Sequence, residues 1–327
     1  MNCTQVCPCC GLSDCRVLYR KKDNPQILIG LPDTTDVAEC NNCKTAFTCP
    51  MPSKDQLDRI YSDVFFYSSD FSGADARGHR KYIDQIETML GSKGKLLDIG
   101  CASGLLLSLA DEGGWETYGI DISEKLLEAA GSRVPRASLF NGQIEDAPYE
   151  NGFFDAVVAL NLLEHLVTPV RLLSEVSRVL KPGGIFLFKT VIIDSIPGKK
   201  RKVNWDHLKW PGHLIWYSKE SLVTLLNQSG FRARKTRVTG VPYIPGVKRY
   251  MDHRSTKNDS TETRGSSEKP DRAETSMPFV KKLLKAILRS SSLKTFASFI
   301  NSTFKLGDTV TVYAERNSDH SADMNKM

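Results

Sequence analysis

The sequence predicts an α/β fold with a mostly parallel sheet covered by helices on both faces, preceded by a small cysteine-rich module. From about residue 79 onward, short apolar runs such as KLLDIG, YGID and FDAVVAL alternate with amphipathic helical segments. Repeated strand–helix units of this kind give parallel sheets. Seven of the nine cysteines lie in the first 43 residues, which marks that stretch off from the α/β part.

Length and composition point to one main core. A chain of 327 residues holds one substantial domain and an accessory module, and its 40% hydrophobic content is ordinary for a soluble protein. The net charge of +6 permits an anionic partner without indicating one. We see no membrane-spanning run and no signal-peptide pattern, so we expect a cytoplasmic protein whose thiols are reduced or metal-bound.

Composition and periodicity divide the chain into segments. We expect a zinc-binding ribbon at 1–50, a connecting helical segment at 51–78, the α/β domain at 79–243, a flexible insertion at 244–278, amphipathic helices at 279–306, a terminal sheet strand at 307–317 and a disordered tail at 318–327. The 279–306 helices are expected to pack on the domain, with peripheral membrane contact as the alternative. The terminal strand should lie beside 231–238.

One helix start can be predicted in detail. Ser218 is a good N-cap, but Ser221 at the third position predicts that a full capping box is missing.

The turn after KLLDI suits a ligand that approaches the backbone closely. Small residues there lead into a helix whose first N–H groups have no partner within the helix. The spacing is G-x-x-x-G, so the G-x-G-x-x-G cradle for a pyrophosphate is poorly matched. A second strand ends on Asp121, where a carboxylate can accept hydrogen bonds from both hydroxyl groups of a ribose. The candidate residues of the turn are Asp98, Gly100, Cys101, Ala102, Ser103 and Gly104.

These segments, in this order, resemble the class I S-adenosylmethionine-dependent methyltransferases over roughly residues 80–240 plus the terminal strand. The resemblance implies a Rossmann-like sheet with an antiparallel edge strand and S-adenosylmethionine as cofactor. It also implies cofactor contacts from the turn, from Asp121 and Ile122, from Gln143 and Ile144, and from Asn161. Many members have Asp where Gln143 stands, which puts that particular adenine contact in doubt.

The pair Glu164–His165 follows the fourth strand, where a side chain would face the transferred methyl group. A histidine titrates near neutral pH and suits removal of a proton from a hydroxyl acceptor. Glu164 could orient His165 or bind a metal. Ubiquinone-biosynthesis O-methyltransferases have a similar EH pair, which favours oxygen as the acceptor atom. The alternative is that Glu164 caps the next segment and His165 is merely packed.

Residues 194–217 are the expected lid over the acceptor. This stretch combines basic and aromatic side chains, which would suit a phosphorylated or nucleotide-linked sugar, a ring-containing lipid or single-stranded nucleic acid. The alternative for the basic residues is a solvated loop. The side chains concerned are Lys199, Lys200, Arg201, Lys202, Trp205, His207, Trp210, His213, Trp216 and Tyr217.

Cys7, Cys10, Cys40 and Cys43 have the spacing C-x2-C-x29-C-x2-C, which predicts a structural Zn²⁺ site. Zinc would supply folding energy that so short a segment cannot draw from its own core. Unliganded buried thiols are the alternative. Cys9 makes the register ambiguous, and three further thiols, Cys3, Cys15 and Cys49, could substitute. Methyltransferases with a similar ribbon often modify surface glycans or small molecules.

The sequence therefore predicts an O-methyltransferase acting on a small-molecule or glycan-like acceptor. One alternative is an RNA methyltransferase that recognises its substrate through the ribbon. Another is a degenerate methyltransferase domain that serves as an interaction module.

Overall fold

The computed structural model describes residues 5–62, 73–209, 212–240 and 307–318. The insertion and helices expected at 244–306 lie outside the described residues, as do Trp210 and the tail beyond Ser318. The helices are α1 Lys54–Ser62, α2 Gly73–Leu90, α3 Leu105–Glu112, α4 Glu124–Arg133, α5 Pro169–Val179, α6 Ile196–Arg201, α7 Asp206–Lys209 and α8 Lys219–Gln228. The strands are β1 Cys15–Tyr19, β2 Asp36–Cys40, β3 Ala46–Cys49, β4 Lys95–Ile99, β5 Glu116–Asp121, β6 Ser138–Asn141, β7 Phe154–Leu160, β8 Leu180–Val191, β9 Ile215–Trp216, β10 Phe231–Thr239 and β11 Thr309–Arg316.

The larger sheet has seven strands in the order β10-β11-β8-β7-β4-β5-β6. The strands from β8 to β6 run parallel, whereas β11 is antiparallel to both β8 and β10. This arrangement confirms the predicted Rossmann-like fold with an antiparallel edge. The terminal strand β11 occupies an interior position, and β10 is the outermost strand.

Alternate residues of the central strands face two different layers. On β7, Val157 and Ala159 pack into one apolar cluster, and Ala156 and Val158 pack into the other. The first cluster contains side chains of α5 and α8, and the second contains side chains of α2, α3 and α4. Both faces of the sheet are therefore covered, which explains why its strands read as continuous apolar runs.

A smaller antiparallel sheet has the order β1-β2-β3-β9. Its fourth strand, β9, comes from the segment after α7 and pairs with β3 through Ala46↔Trp216 and Phe47↔Ile215. Cys40 and Phe47 lie in the same apolar cluster as α5 and α8. The cysteine-rich segment is thus continuous with the main core on that side of the sheet.

Two local expectations prove wrong. The Ser221 hydroxyl accepts a hydrogen bond from the Ser218 backbone N–H at 2.8 Å, while Ser218 Oγ accepts from Ser221 N at 2.9 Å, so the capping box of α8 is complete. A serine hydroxyl reaches back as well as the longer Glu or Gln that the pattern requires. Cys49 is disulfide-bonded rather than a spare thiol.

Among the described helices, none combines the length and the apolar character needed to cross a bilayer.

Candidate functional site

The turn after β4 is shaped by two glycines with left-handed backbone. Gly100 has φ 74°, and Gly104 has φ 76° where it caps the start of α3. A Cβ on Gly104 would lie 3.1 Å from Ala130 Cβ, so a side chain there would be both strained and crowded. The N–H groups of Gly100 and Cys101 donate to the Ile120 carbonyl at 2.8 and 3.0 Å. The turn is thereby held over the carboxyl ends of β4 and β5.

Asp121, the last residue of β5, braces this turn. Its Oδ2 accepts from Ala102 N at 2.9 Å and its Oδ1 accepts from Ser123 N at 2.9 Å. Burial raises the pKa of this carboxyl group, and the backbone hydrogen bonds from Ser123 and Ala102 oppose that rise. Because each carboxylate oxygen has two lone pairs, the group can brace the turn and still accept from ribose hydroxyls.

Asp98 and Cys101 are buried behind the turn, with 5% and 4% of their surface exposed. Burial, assisted by the charge of Asp121, raises the pKa of Asp98 to about 8. Burial also raises the pKa of the Cys101 thiol, which therefore stays protonated and unreactive. Ser103, the remaining residue of the turn, is half-buried.

The other residues predicted to contact the cofactor follow β5, β6 and β7. Ile122 is 65% exposed, and Gln143 is exposed where it precedes a short 3-10 turn. Ile144 is only 1% exposed, so its side chain belongs to the core and only its backbone can face a ligand. Asn161 is exposed, with φ 54°, and its N–H donates to the Lys189 carbonyl at 2.9 Å.

Glu164 and His165 lie in a 3-10 turn just after β7, beside a chain segment that returns from the lid. Glu164 is 1% exposed and accepts from the Thr190 hydroxyl at 2.8 Å. His165 Nδ1 lies 2.8 Å from the Gly212 carbonyl oxygen. Burial lowers the pKa of His165, although the charge of Glu164 and this hydrogen bond oppose the effect. The imidazole is therefore neutral at physiological pH.

A second histidine lies against the first. The ring centroids of His165 and His213 are 4.8 Å apart. Burial, followed by the charges of His165 and His207, lowers the pKa of His213 well below its usual value. One ligand atom from each of Glu164, His165 and His213 lies within 4.8 Å of the others, close enough to share a divalent cation.

The four predicted zinc ligands come together in the small sheet. The Sγ atoms of Cys7, Cys10, Cys40 and Cys43 all lie within 4.8 Å of one another, and Cys7–Cys43 and Cys10–Cys40 are 3.5 and 3.6 Å apart. Tetrahedral zinc with Zn–S bonds of about 2.3 Å separates its sulfurs by about 3.8 Å. The donor set therefore fits Zn²⁺. Cys9 and Cys15 are buried nearby but lie outside the set.

The aromatic residues of the lid are placed differently from the prediction. Trp205, Trp216 and Tyr217 are at most 1% exposed and belong to the core, so they do not offer rings for stacking on a ligand. Arg201 pairs with Asp206 at 3.0 Å, and Lys199 and Lys200 are exposed on α6.

Sequence reasoning missed two residues that contact the predicted site and lid residues. Thr190 bonds the Glu164 carboxylate from β8, and Asp308 receives the Trp205 indole N–H at 3.1 Å. Asp308 is distant in sequence from its partners, so no local pattern could have indicated it. The segment GHLIWY predicted a lid, but it gave no indication of these two partners.

Comparison with known proteins agrees with this geometry. A family model described as a methyltransferase domain matches residues 74–236. The chain is 32% identical over 173 residues to an uncharacterized methyltransferase of Synechocystis sp.. This match covers 49% of the chain and 76% of that protein. The chain belongs to the S-adenosylmethionine-dependent methyltransferases.

This methyltransferase also resembles the ubiquinone biosynthesis O-methyltransferase of Coxiella burnetii. The two are 33% identical over 115 residues, which cover 34% of the chain and about half, 48%, of that relative. A solved S-adenosylmethionine-dependent methyltransferase from Archaeoglobus fulgidus is 18% identical with a TM-score of 0.46, and the match covers 74% of this chain and 94% of that one.

Proposed function

We propose that this methyltransferase transfers a methyl group to an oxygen atom of a small-molecule or glycan-like acceptor, with His165 as the general base. The observation that carries the proposal is the 2.8 Å contact of His165 Nδ1 with the Gly212 carbonyl. Because a carbonyl oxygen only accepts hydrogen bonds, Nδ1 carries the proton of the neutral ring. The lone pair is then on Nε2, where it can accept a proton.

S-adenosylmethionine is the cofactor of this family and, when bound, supplies an electrophilic methyl group on a sulfonium. The chain has to hold it and align an acceptor with it. We assign this role to the turn Asp98–Gly104, with Asp121 and Ile122 at the ribose and Gln143 and the Ile144 backbone at the adenine. Asn161 and His165 both follow β7, which would place this cofactor contact and the base at the same strand end.

The acceptor hydroxyl would attack the methyl carbon as its proton moves to His165 Nε2. The bound S-adenosylmethionine would supply the methyl group, and the products would be the O-methylated acceptor and S-adenosylhomocysteine. A neutral, partly buried imidazole suits this step, because it can take a proton without first losing one. The resemblance to a protein named as a ubiquinone O-methyltransferase supports oxygen as the acceptor atom.

We further propose that Cys7, Cys10, Cys40 and Cys43 hold a structural Zn²⁺. All four ligands come from the protein and leave no open position, as in structural rather than catalytic zinc sites. The role of the metal would be to hold β1, β2 and β3 in place. Through the pairing of β3 with β9, the small sheet would also support the segment beside His165.

Calorimetric titration of S-adenosylhomocysteine into zinc-loaded protein tests the cofactor assignment. We expect binding to the unaltered protein and loss of at least tenfold in affinity in Asp121→Ala. Asp111→Ala is the control, because Asp111 lies on α3 outside the proposed site and pairs with Arg136. No binding to folded, zinc-loaded protein would refute the proposed function and favour an interaction module. Tight, steeply salt-dependent RNA binding would favour the RNA methyltransferase.

A further inference from the structure

An array of aromatic rings leads from His165 into the interior. His165 meets His213 edge to face, with centroids 4.8 Å apart and planes 74° apart. His213 stacks on His207 at 5.6 Å and 13°. His207 in turn meets the buried ring of Trp205 at 5.0 Å. These contacts make the orientation of each ring depend on the next.

Asp308 lies at the far end of this array, immediately before β11, and is 3% exposed. Its Oδ2 accepts from Trp205 Nε1 at 3.1 Å and lies 3.5 Å from His207 Nε2. One buried carboxylate oxygen thus fixes two consecutive rings. A buried carboxylate is costly unless it is paired or hydrogen-bonded, so both contacts are held firmly.

Backbone hydrogen bonds join the same elements. The His207 carbonyl lies 3.2 Å from His213 Nδ1 and accepts from Trp216 Nε1 at 3.0 Å. The Asp308 carbonyl accepts from Ile192 N at 2.9 Å, beyond the end of β8. Movement of Asp308 would therefore change the positions of His207 and His213 together.

We propose that Asp308 is a positioning residue for the acceptor side of the enzyme, acting on His165 through the rings of His207 and His213. This inference rests on the proposed function, in which His165 Nε2 takes the acceptor proton. Asp308 is buried and contacts Trp205 and His207, so it would act on His165 indirectly. Its effect is to fix the direction in which His165 Nε2 points, and general-base catalysis depends on that direction.

Nuclear magnetic resonance of the histidine rings tests the proposal without any acceptor. The chain has six histidines, so a histidine-labelled protein saturated with S-adenosylhomocysteine gives few ring signals, which His165→Gln and His213→Gln assign. In Asp308→Asn we expect the ring ¹⁵N signals of His165 and His213 to shift or broaden. Asp155→Asn is the control, since Asp155 binds Lys95 N at the opposite end of the sheet.

Unchanged His165 and His213 signals in Asp308→Asn, with only a lower melting temperature, would overturn the proposal. This outcome is independent of whether the protein methylates a tested acceptor. Where turnover is measurable, kcat should fall about tenfold in Asp308→Asn while the S-adenosylhomocysteine Kd stays within twofold. An equal fall of kcat in Asp155→Asn would also overturn the proposal. So would a requirement of the zinc-loaded enzyme for added Mg²⁺ or Mn²⁺, because Glu164, His165 and His213 would then be ligands of that cation.

Discussion

Ser218 joins the cysteine-rich sheet to the methyltransferase domain, and replacing it with alanine should be costly. The side chain is fully buried, accepts from Ser221 N at 2.9 Å as the cap of α8, and donates to the Cys43 carbonyl at 2.7 Å. Loss of a helix cap costs about 1 kcal/mol. A buried carbonyl left without its donor costs about 1–3 kcal/mol more. We therefore expect Ser218→Ala to lower the free energy of unfolding by about 2–4 kcal/mol.

Urea unfolding followed by circular dichroism measures this difference. Ser195→Ala is the control, because Ser195 is a buried cap of α6 that accepts from Gly198 N at 3.0 Å. It loses a cap alone and should cost about 1 kcal/mol. If both variants lose the same free energy, the bond to Cys43 does not stabilise the junction, and the reasoning is refuted.

Three further predictions concern protonation, the base and the metal. The raised pKa of Asp98, about 8, means that the folded state alone binds this proton between about pH 4 and 8, so stability should fall as pH rises through that window. Asp98→Asn should flatten the dependence of melting temperature on pH. His165→Gln should lower kcat by about 10²–10⁴ in a turnover assay, with S-adenosylhomocysteine affinity within twofold by calorimetry. Cys10→Ser should lower bound zinc measured by elemental analysis, whereas Cys9→Ser should keep one ion per chain.

The main sheet could be predicted from sequence because the apolar pattern of each strand and helix lies within one short segment of the chain. A run such as FDAVVAL has no polar residue after Asp155, and the helices beside it show a helical apolar period. The turn from Asp98 to Gly104 and the strand ending at Asp121 are likewise contiguous segments whose chemistry is visible in a few letters. The structure brings these two segments into direct hydrogen bonding through Ala102 N.

The lid was predicted less well, because exposure depends on contacts that are distant in the chain. Basic and aromatic side chains alternate there as they do at ligand surfaces. Trp205 and Trp216 are nevertheless buried, since Asp308 and the strand β3 cover them from other parts of the chain. Nothing in the local pattern distinguishes a tryptophan that stacks on a ligand from one that packs in a core.

This contrast has a structural origin in the two halves of the site. The proposed cofactor side lies at the ends of strands that follow one another in the chain, so short segments determine it. The proposed acceptor side lies where distant segments meet: Thr48 N donates to the Leu214 carbonyl at 2.9 Å, and Leu214 N donates to the Glu164 carbonyl at 2.7 Å. Asp308 reaches the same segment from the terminal strand. Changes in the small sheet or in β11 should therefore alter acceptor use before they alter cofactor binding.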